Sequence, residues 1–152
     1  MITEYKIFEA KQVGILYHWT NFYSLGKILE QDRMWSAMGY ISFSRNKRLN
    51  YANRTILIIF DGNKMSDKFK FEPFLYSQYY KKEAEERIEC NFKSEKDSLD
   101  DCIFGIKKYI IGIQIVNYDR LVQEEHEGRK YIFDKIKKLN KLIPNIKIEI
   151  IK

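Results

Sequence analysis

The chain has 152 residues, 45% of them hydrophobic and 15% aromatic, which excludes a disordered segment and is enough for one domain with a substantial core. Its 27 Lys and Arg against 21 Asp and Glu give a net charge of +6, which favours anionic partners, although such a Lys-rich and Ile-rich composition equally fits an AT-rich genome. Two cysteines are too few for a disulfide framework, and no apolar run is long enough for a membrane span or a secretory signal. We therefore expect a cytoplasmic protein with no membrane partner.

The first predicted elements are a strand and a short helix. Residues 13–19 are apolar and rich in β-forming side chains, which predicts a strand. Thr20 and Asn21 follow as capping residues, and apolar side chains then recur at the spacing of a helix at Leu25, Ile28 and Leu29.

Three further strands are predicted before residue 75. Residues 40–44 alternate apolar and hydroxylated side chains, which indicates a half-buried strand with Ser42 and Ser44 on one face. Residues 55–60 are continuously apolar and predict a central strand that ends at the turn signal of residues 61–63. Residues 68–74 alternate but contain Pro73, which is typical of an edge strand or an extended loop.

The C-terminal half predicts a loop, a strand, a helix and a last strand. Residues 91–101 are polar and aperiodic, whereas residues 107–116 are strongly β-forming. Apolar side chains at helical spacing then lead to Pro144 and a final strand. The order predicts a single α+β domain over residues 1–152, with a mixed, mostly antiparallel sheet and a few flanking helices. No GxGxxG or Walker-type loop is present.

Three polar segments interrupt this apolar pattern, each with a structural and a functional interpretation. His18 lies in the apolar strand of YHWT and is either a satisfied core histidine or a ligand-binding group. In SFSR, Ser42 and Ser44 lie either on a solvated sheet face or along a cleft. Arg45 next to them has a planar guanidinium whose paired N–H donors suit phosphate. The third segment, residues 83–88, reads EAEERI and is either the charged exterior of a helix or an extended segment with Glu86 opposite the other two carboxylates.

The order and spacing of these segments resemble the ADP-ribosyltransferase fold. The nearest branch is the His-type group that includes DNA-modifying toxins and tRNA 2'-phosphotransferases. The sequence is also similar to small uncharacterised proteins of tailed phages that carry an IS-F-R segment, a DG-turn strand and an EERI segment. The likeness covers roughly residues 13–90.

This resemblance implies an NAD-dependent mono-ADP-ribosyltransferase, or an NAD- or ADP-ribose-binding relative, encoded by a phage and acting on a host or defence component. NAD would be the small-molecule substrate, and the acceptor stays open between nucleic acid and a host protein. A late glutamate would stabilise the cation that forms as nicotinamide leaves, with Glu86 the first choice and Glu85 the second. The cofactor-binding residues would be Tyr17, His18 and Thr20 at the ribose, Ser42 and Ser44 at the nicotinamide pocket, and Arg45 at the pyrophosphate or a nucleic-acid backbone.

Other classes remain as alternatives. A non-catalytic basic module would use the positive charge and exposed aromatic side chains to bind nucleic acid or a partner protein. A nuclease would need Asp61 and the glutamate cluster to converge on a divalent metal. A zinc enzyme is disfavoured because His18 and His126 lack metal-binding spacing, and His126 lies in a polar stretch typical of a surface.

Overall fold

A seven-stranded sheet dominates the computed structural model, which describes residues 14–35, 40–50, 52–75, 84–89 and 101–151. The described residues form nine strands: β1 (Ile15–Thr20), β2 (Arg33–Trp35), β3 (Tyr40–Ser44), β4 (Ile56–Asp61), β5 (Phe71–Leu75), β6 (Ala84–Glu89), β7 (Asp101–Phe104), β8 (Ile110–Val116) and β9 (Ile148–Ile151). The large sheet has the order β5-β6-β3-β1-β4-β8-β9, and β2 pairs with β7 in a second, two-stranded sheet. Only β8 and β9 are parallel among these pairs, which confirms a mixed, mostly antiparallel sheet in an α+β domain.

Four helices accompany the sheet in the described ranges: α1 (Phe22–Gln31), α2 (Gly62–Ser66), α3 (Tyr118–Glu125) and α4 (Arg129–Leu142). Helix α1 begins as predicted, because the Asn21 side chain accepts a hydrogen bond of 2.8 Å from the Ser24 amide. In this part of the chain, no helix combines the length and the apolar character needed to cross a bilayer.

The core lies on one face of the central strands and is closed by α1 and α4. Leu16 of β1 faces Phe60 of β4 across the register, and both are fully buried. Helix α1 contributes Leu25 and Leu29, also fully buried, and α4 contributes a stripe at Ile132, Ile136 and Leu139. The apolar spacing that predicted these helices therefore corresponds to their buried side chains.

The central strand predicted over residues 55–60 is β4, and it ends at the predicted turn signal, although the chain turns there through a short helix. The Asp61 carboxylate accepts a hydrogen bond from the Lys64 amide and so caps α2. Gly62 donates its amide to the Gly14 carbonyl at 2.7 Å, and a Cβ added at Gly62 would lie 2.4 Å from that oxygen. A glycine is needed here for close approach of two backbones.

The strand predicted over residues 107–116 is correct only from Ile110 onward. Residues Ile106–Tyr109 form a 3₁₀ turn instead. The Lys107 amide donates to the Asp32 carboxylate at 2.8 Å, and the Gly105 amide donates to the Asp32 carbonyl at 2.8 Å. These long-range hydrogen bonds stabilise a turn where the local propensity favours a strand.

The helical stretch after Asn117 is divided into two helices. Helix α3 ends at Glu125, where His126 follows as the C-cap with a left-handed backbone and φ of 55°, and α4 begins after Gly128. His126 is exposed, as the sequence predicted. The final strand, β9, lies where it was expected.

The edge strand predicted around Pro73 is confirmed as β5, which lies at one end of the sheet order. Strands β2 and β7 were not predicted, and Asp101 of the expected loop belongs to β7. Residues 91–100 of that loop lie outside the described residues, as do Val13 and Glu83.

Candidate functional site

The sheet opens between β1 and β3, next to His18. Within the described residues, β1 pairs with β3 in register only at Tyr17 and Ser44, whereas all six residues of β1 pair with β4. Beyond that single pair, His18 Nδ1 lies 2.9 Å from the carbonyl oxygen of Ser42. The imidazole ring thus bridges the two strands where their backbone pairing stops.

This contact determines which nitrogen of His18 carries the proton. A carbonyl oxygen can only accept a hydrogen bond, so Nδ1–H must be the donor to Ser42. Burial lowers the pKa of His18 below its ordinary value of 6.5, and the hydrogen bond to Ser42 opposes this effect without overcoming it. The ring is therefore neutral at pH 7, which leaves Nε2 as a hydrogen-bond acceptor.

A cavity of about 270 Å³ lies at the opening between the strands. One wall comes from β1 and β3, and the other from the loop that joins β3 to β4. The lining residues are Tyr17, His18, Trp19, Ser42, Phe43, Ser44, Leu49, Asn50, Ala52 and Arg54. The volume is slightly below the range of about 300–1,000 Å³ usual for small-ligand sites, so the cavity fits a small group or one part of a larger ligand.

Side-chain hydrogen bonds hold the loop against the sheet. The Trp19 indole donates to the Lys47 carbonyl at 2.9 Å and so ties the loop to β1. The Asn50 side chain forms two hydrogen bonds with the Arg54 backbone, at 2.7 and 2.9 Å. Hydrogen bonds of this kind stabilise a turn that has no regular secondary structure. They therefore fix the position of the loop that forms the second wall of the cavity.

The structure brings four of the six predicted cofactor-binding residues to this cavity: Tyr17, His18, Ser42 and Ser44. Thr20 is buried in the core next to α1, and Arg45 follows the end of β3; neither lines the cavity.

Ser44 does not lie on a solvated sheet face, which was one of its two interpretations from the sequence. It is only 8% exposed, and its hydroxyl accepts a hydrogen bond of 2.9 Å from the Asn46 amide. That bond starts the turn after β3, so Ser44 shapes the loop wall of the cavity.

The glutamate segment is a strand, so its interpretation as a helix exterior is wrong. Strand β6 pairs with β3, with Glu86 opposite Phe43 and Glu85 opposite Ser44. The Phe43 ring lies 5.7 Å from the His18 ring. The register therefore aligns position 86 with Phe43 and His18, and position 85 with Ser44 and Tyr17.

Sequence reasoning missed the loop residues of the cavity, Leu49, Asn50 and Arg54. Their only signal is that they follow SFSR closely, which does not show that the loop folds back over β1. Trp19 of β1 also lines the cavity. Across the described part of the chain, no cluster of three or more His, Cys, Asp or Glu could hold a metal ion.

Comparison of the chain with protein-family models, curated proteins and solved structures finds no match. The site is therefore interpreted from its own residues. They form a cavity at an opened sheet, with a neutral histidine on one wall and an arginine on the other.

The pKa of His18 predicts a pH-dependent stability. Because the folded pKa lies below the unfolded value of 6.5, the unfolded chain binds more protons between the two values. Stability should therefore be complete above pH 6.5 and fall as the pH drops toward the folded pKa, by up to about 1.4 kcal/mol per pH unit. Urea unfolding at about pH 7.5 and about pH 5.5 measures this loss.

The His18→Asn variant should lose less stability over this range, because Asn keeps a donor for the Ser42 carbonyl but does not titrate. His126→Asn, which removes the other histidine of the chain, is the matched control and should behave as the wild type. An unchanged pH dependence in His18→Asn would contradict the assignment.

Proposed function

We propose that this protein is an NAD-dependent mono-ADP-ribosyltransferase, or a relative that binds NAD or ADP-ribose. The observation that carries the proposal is the neutral His18, which lines the cavity at the opening between β1 and β3, with Nδ1 bonded to Ser42 and Nε2 left as an acceptor. The resemblance of the segments around His18, Ser42 and Glu86 to the ADP-ribosyltransferase fold supports the same proposal.

His18 would bind the ribose next to the nicotinamide. A ribose hydroxyl is a donor, and Nε2 of a neutral, Nδ1-protonated imidazole is the complementary acceptor. The bond to Ser42 holds the ring orientation before the ligand arrives, which lowers the entropy cost of binding. A charged histidine would lack this acceptor, so the lowered pKa favours the required form.

Tyr17 and Trp19 would provide flat surfaces for the nicotinamide ring. Both are half-buried and line the cavity. The indole of Trp19 is held by its hydrogen bond to Lys47, so stacking on it costs little side-chain freedom.

Arg54 would bind the diphosphate. It lies on the loop wall of the cavity and is exposed, so an extended ligand can reach its guanidinium from the mouth of the cavity. Guanidinium groups bind phosphate oxygens through paired N–H donors. Arg45, expected at the pyrophosphate from the sequence, would be a second cation of the same loop.

The register supports Glu86 as the catalytic carboxylate. Position 86 stands in a cross-strand row with Phe43 of β3, which is buried. The same row continues to His18 through its contact with Phe43. Glu85 is aligned with Ser44 instead, and so is the second candidate.

The reaction would break the bond between ribose C1' and the nicotinamide nitrogen. The electron pair leaves with nicotinamide, which becomes neutral, and positive charge develops on the ribose. The Glu86 carboxylate would stabilise that charge, and the acceptor would then attack C1' with its lone pair and release a proton.

Calorimetric titration with NAD and with ADP-ribose, together with chromatographic detection of nicotinamide, tests the proposal on the unmodified protein. Binding with release of nicotinamide is the result expected of a transferase. Binding without release would assign the chain to the non-catalytic relatives, and failure to bind either ligand would overturn the proposal.

A further inference from the structure

The positive charge of the chain is concentrated on helix α4. Its 14 residues carry six cations and one carboxylate, so the helix accounts for +5 of the total net charge of +6. All six basic side chains are exposed. Arg129 forms an ion pair with Asp119 of α3, which leaves the five lysines as the main source of the field.

Exposed aromatic rings lie among these lysines. Tyr131 and Phe133 of α4 are 51% and 44% exposed, and Tyr23 of α1 is 70% exposed. A lysine ammonium group lies over each ring. The distance to the ring centroid is 5.7 Å from Lys135 to Tyr131, 4.6 Å from Lys137 to Phe133 and 5.6 Å from Lys27 to Tyr23. Because all three rings are exposed to solvent, they are available to a ligand.

A groove of about 680 Å³ runs between α1 and α4. Tyr23 and Lys27 line it from α1, and Tyr131, Lys135 and Lys138 line it from α4; we call these five residues the α1–α4 surface. Two carboxylates also line the groove, so attraction for an anion depends on the charge of α4 as a whole. They are Glu30 and Asp134.

We propose that the α1–α4 surface binds single-stranded nucleic acid. Lysines supply the phosphate contacts, and exposed tyrosines supply faces on which unpaired bases stack. A protein partner fits less well, because lysine is depleted at the centre of protein interfaces, whereas this surface and the rest of α4 are rich in it. A duplex fits less well, because its bases are already stacked on one another and cannot use the rings.

This proposal goes beyond the NAD chemistry and does not depend on it. The α1–α4 surface shares no lining residue with the cavity at His18. Each can therefore be tested while the other is intact.

The test is fluorescence anisotropy with a labelled mixed-sequence DNA of about 20 nucleotides, as a single strand and as a duplex, at several salt concentrations. The Lys135→Glu/Lys138→Glu variant should bind the single strand at least about tenfold more weakly, and its salt slope should fall by about 1.4. Lys68→Glu/Lys147→Glu reverses two exposed charges elsewhere and is the matched control, with little expected loss.

A second variant tests the rings. Tyr131→Ala should weaken binding to the single strand about fivefold or more, with little effect on the duplex. Circular dichroism and thermal unfolding show whether each variant keeps its fold. NAD titration of the same preparations tests the cavity at His18 independently, so a loss of nucleic-acid binding can be distinguished from a failure of the NAD proposal.

Three results would overturn the proposal. One is no binding of the single strand at low salt, and another is an equal loss in the two charge-reversed variants. The third is displacement of the oligonucleotide by polyglutamate of the same total charge at lower concentration, which would assign the surface to an acidic protein partner.

Discussion

His18→Ala should weaken NAD binding by about 30-fold or more. The substitution removes the acceptor Nε2 and the ring that the bond to Ser42 holds in place for the ligand, which together correspond to about 2 kcal/mol or more of binding free energy. Calorimetric titration measures the affinity directly. His126→Ala is the matched control, because it removes an exposed histidine remote in sequence and should bind NAD as the wild type does.

His18→Asn separates the structural part of this effect from the ligand-binding part. Asn keeps a donor for the Ser42 carbonyl, so the folded state should be retained. It has no acceptor at the position of Nε2, so NAD affinity should fall nearly as far as in His18→Ala. Wild-type affinity in His18→Asn would mean that His18 only bridges the two strands and does not bind the ribose.

Glu86→Gln should lower the rate of nicotinamide release by about 100-fold to 1,000-fold while changing NAD affinity little. The amide has the size of the carboxylate but lacks the negative charge that stabilises the transition state, so the loss should be in kcat. Single-turnover measurement of nicotinamide release at saturating NAD gives this rate.

Glu85→Gln is the matched control for this prediction, since it makes the same chemical change one residue away, at the position opposite Ser44. Its effect on the rate should be small. A large loss in Glu85→Gln with little loss in Glu86→Gln would transfer the role to Glu85. If both variants kept the wild-type rate, neither Glu86 nor Glu85 would be the catalytic carboxylate.

Local sequence patterns predicted the strands and helices in which apolar side chains recur at a regular spacing. The alternation of residues 40–44 predicted β3, and the helical spacing after Asn21 predicted α1 and its cap. Both patterns follow from backbone geometry, in which side chains repeat every two residues in a strand and every 3.6 in a helix. Such elements can be recognised before any tertiary contact is known.

Elements that depend on distant partners could not be predicted in this way. The turn at Ile106–Tyr109 is held by Asp32, which is 75 residues from Lys107 in the sequence. The residues after β4 start a helix where the Gly62 amide bonds to the Gly14 carbonyl, which is remote in the sequence. In each case, a contact remote in sequence outweighs the local preference.

The sequence by itself determined the class of the domain, the central strands and the position of His18 in β1, because apolar periodicity is a local property. It also left Glu86 and Glu85 as alternatives. Only the tertiary structure decided that His18 bonds Ser42 across the opening between β1 and β3, that Arg54 lies on the opposite wall, and that α4 and α1 present their lysines around one groove. These relations join residues far apart in the chain, and strand register and helix packing create them only when the chain folds.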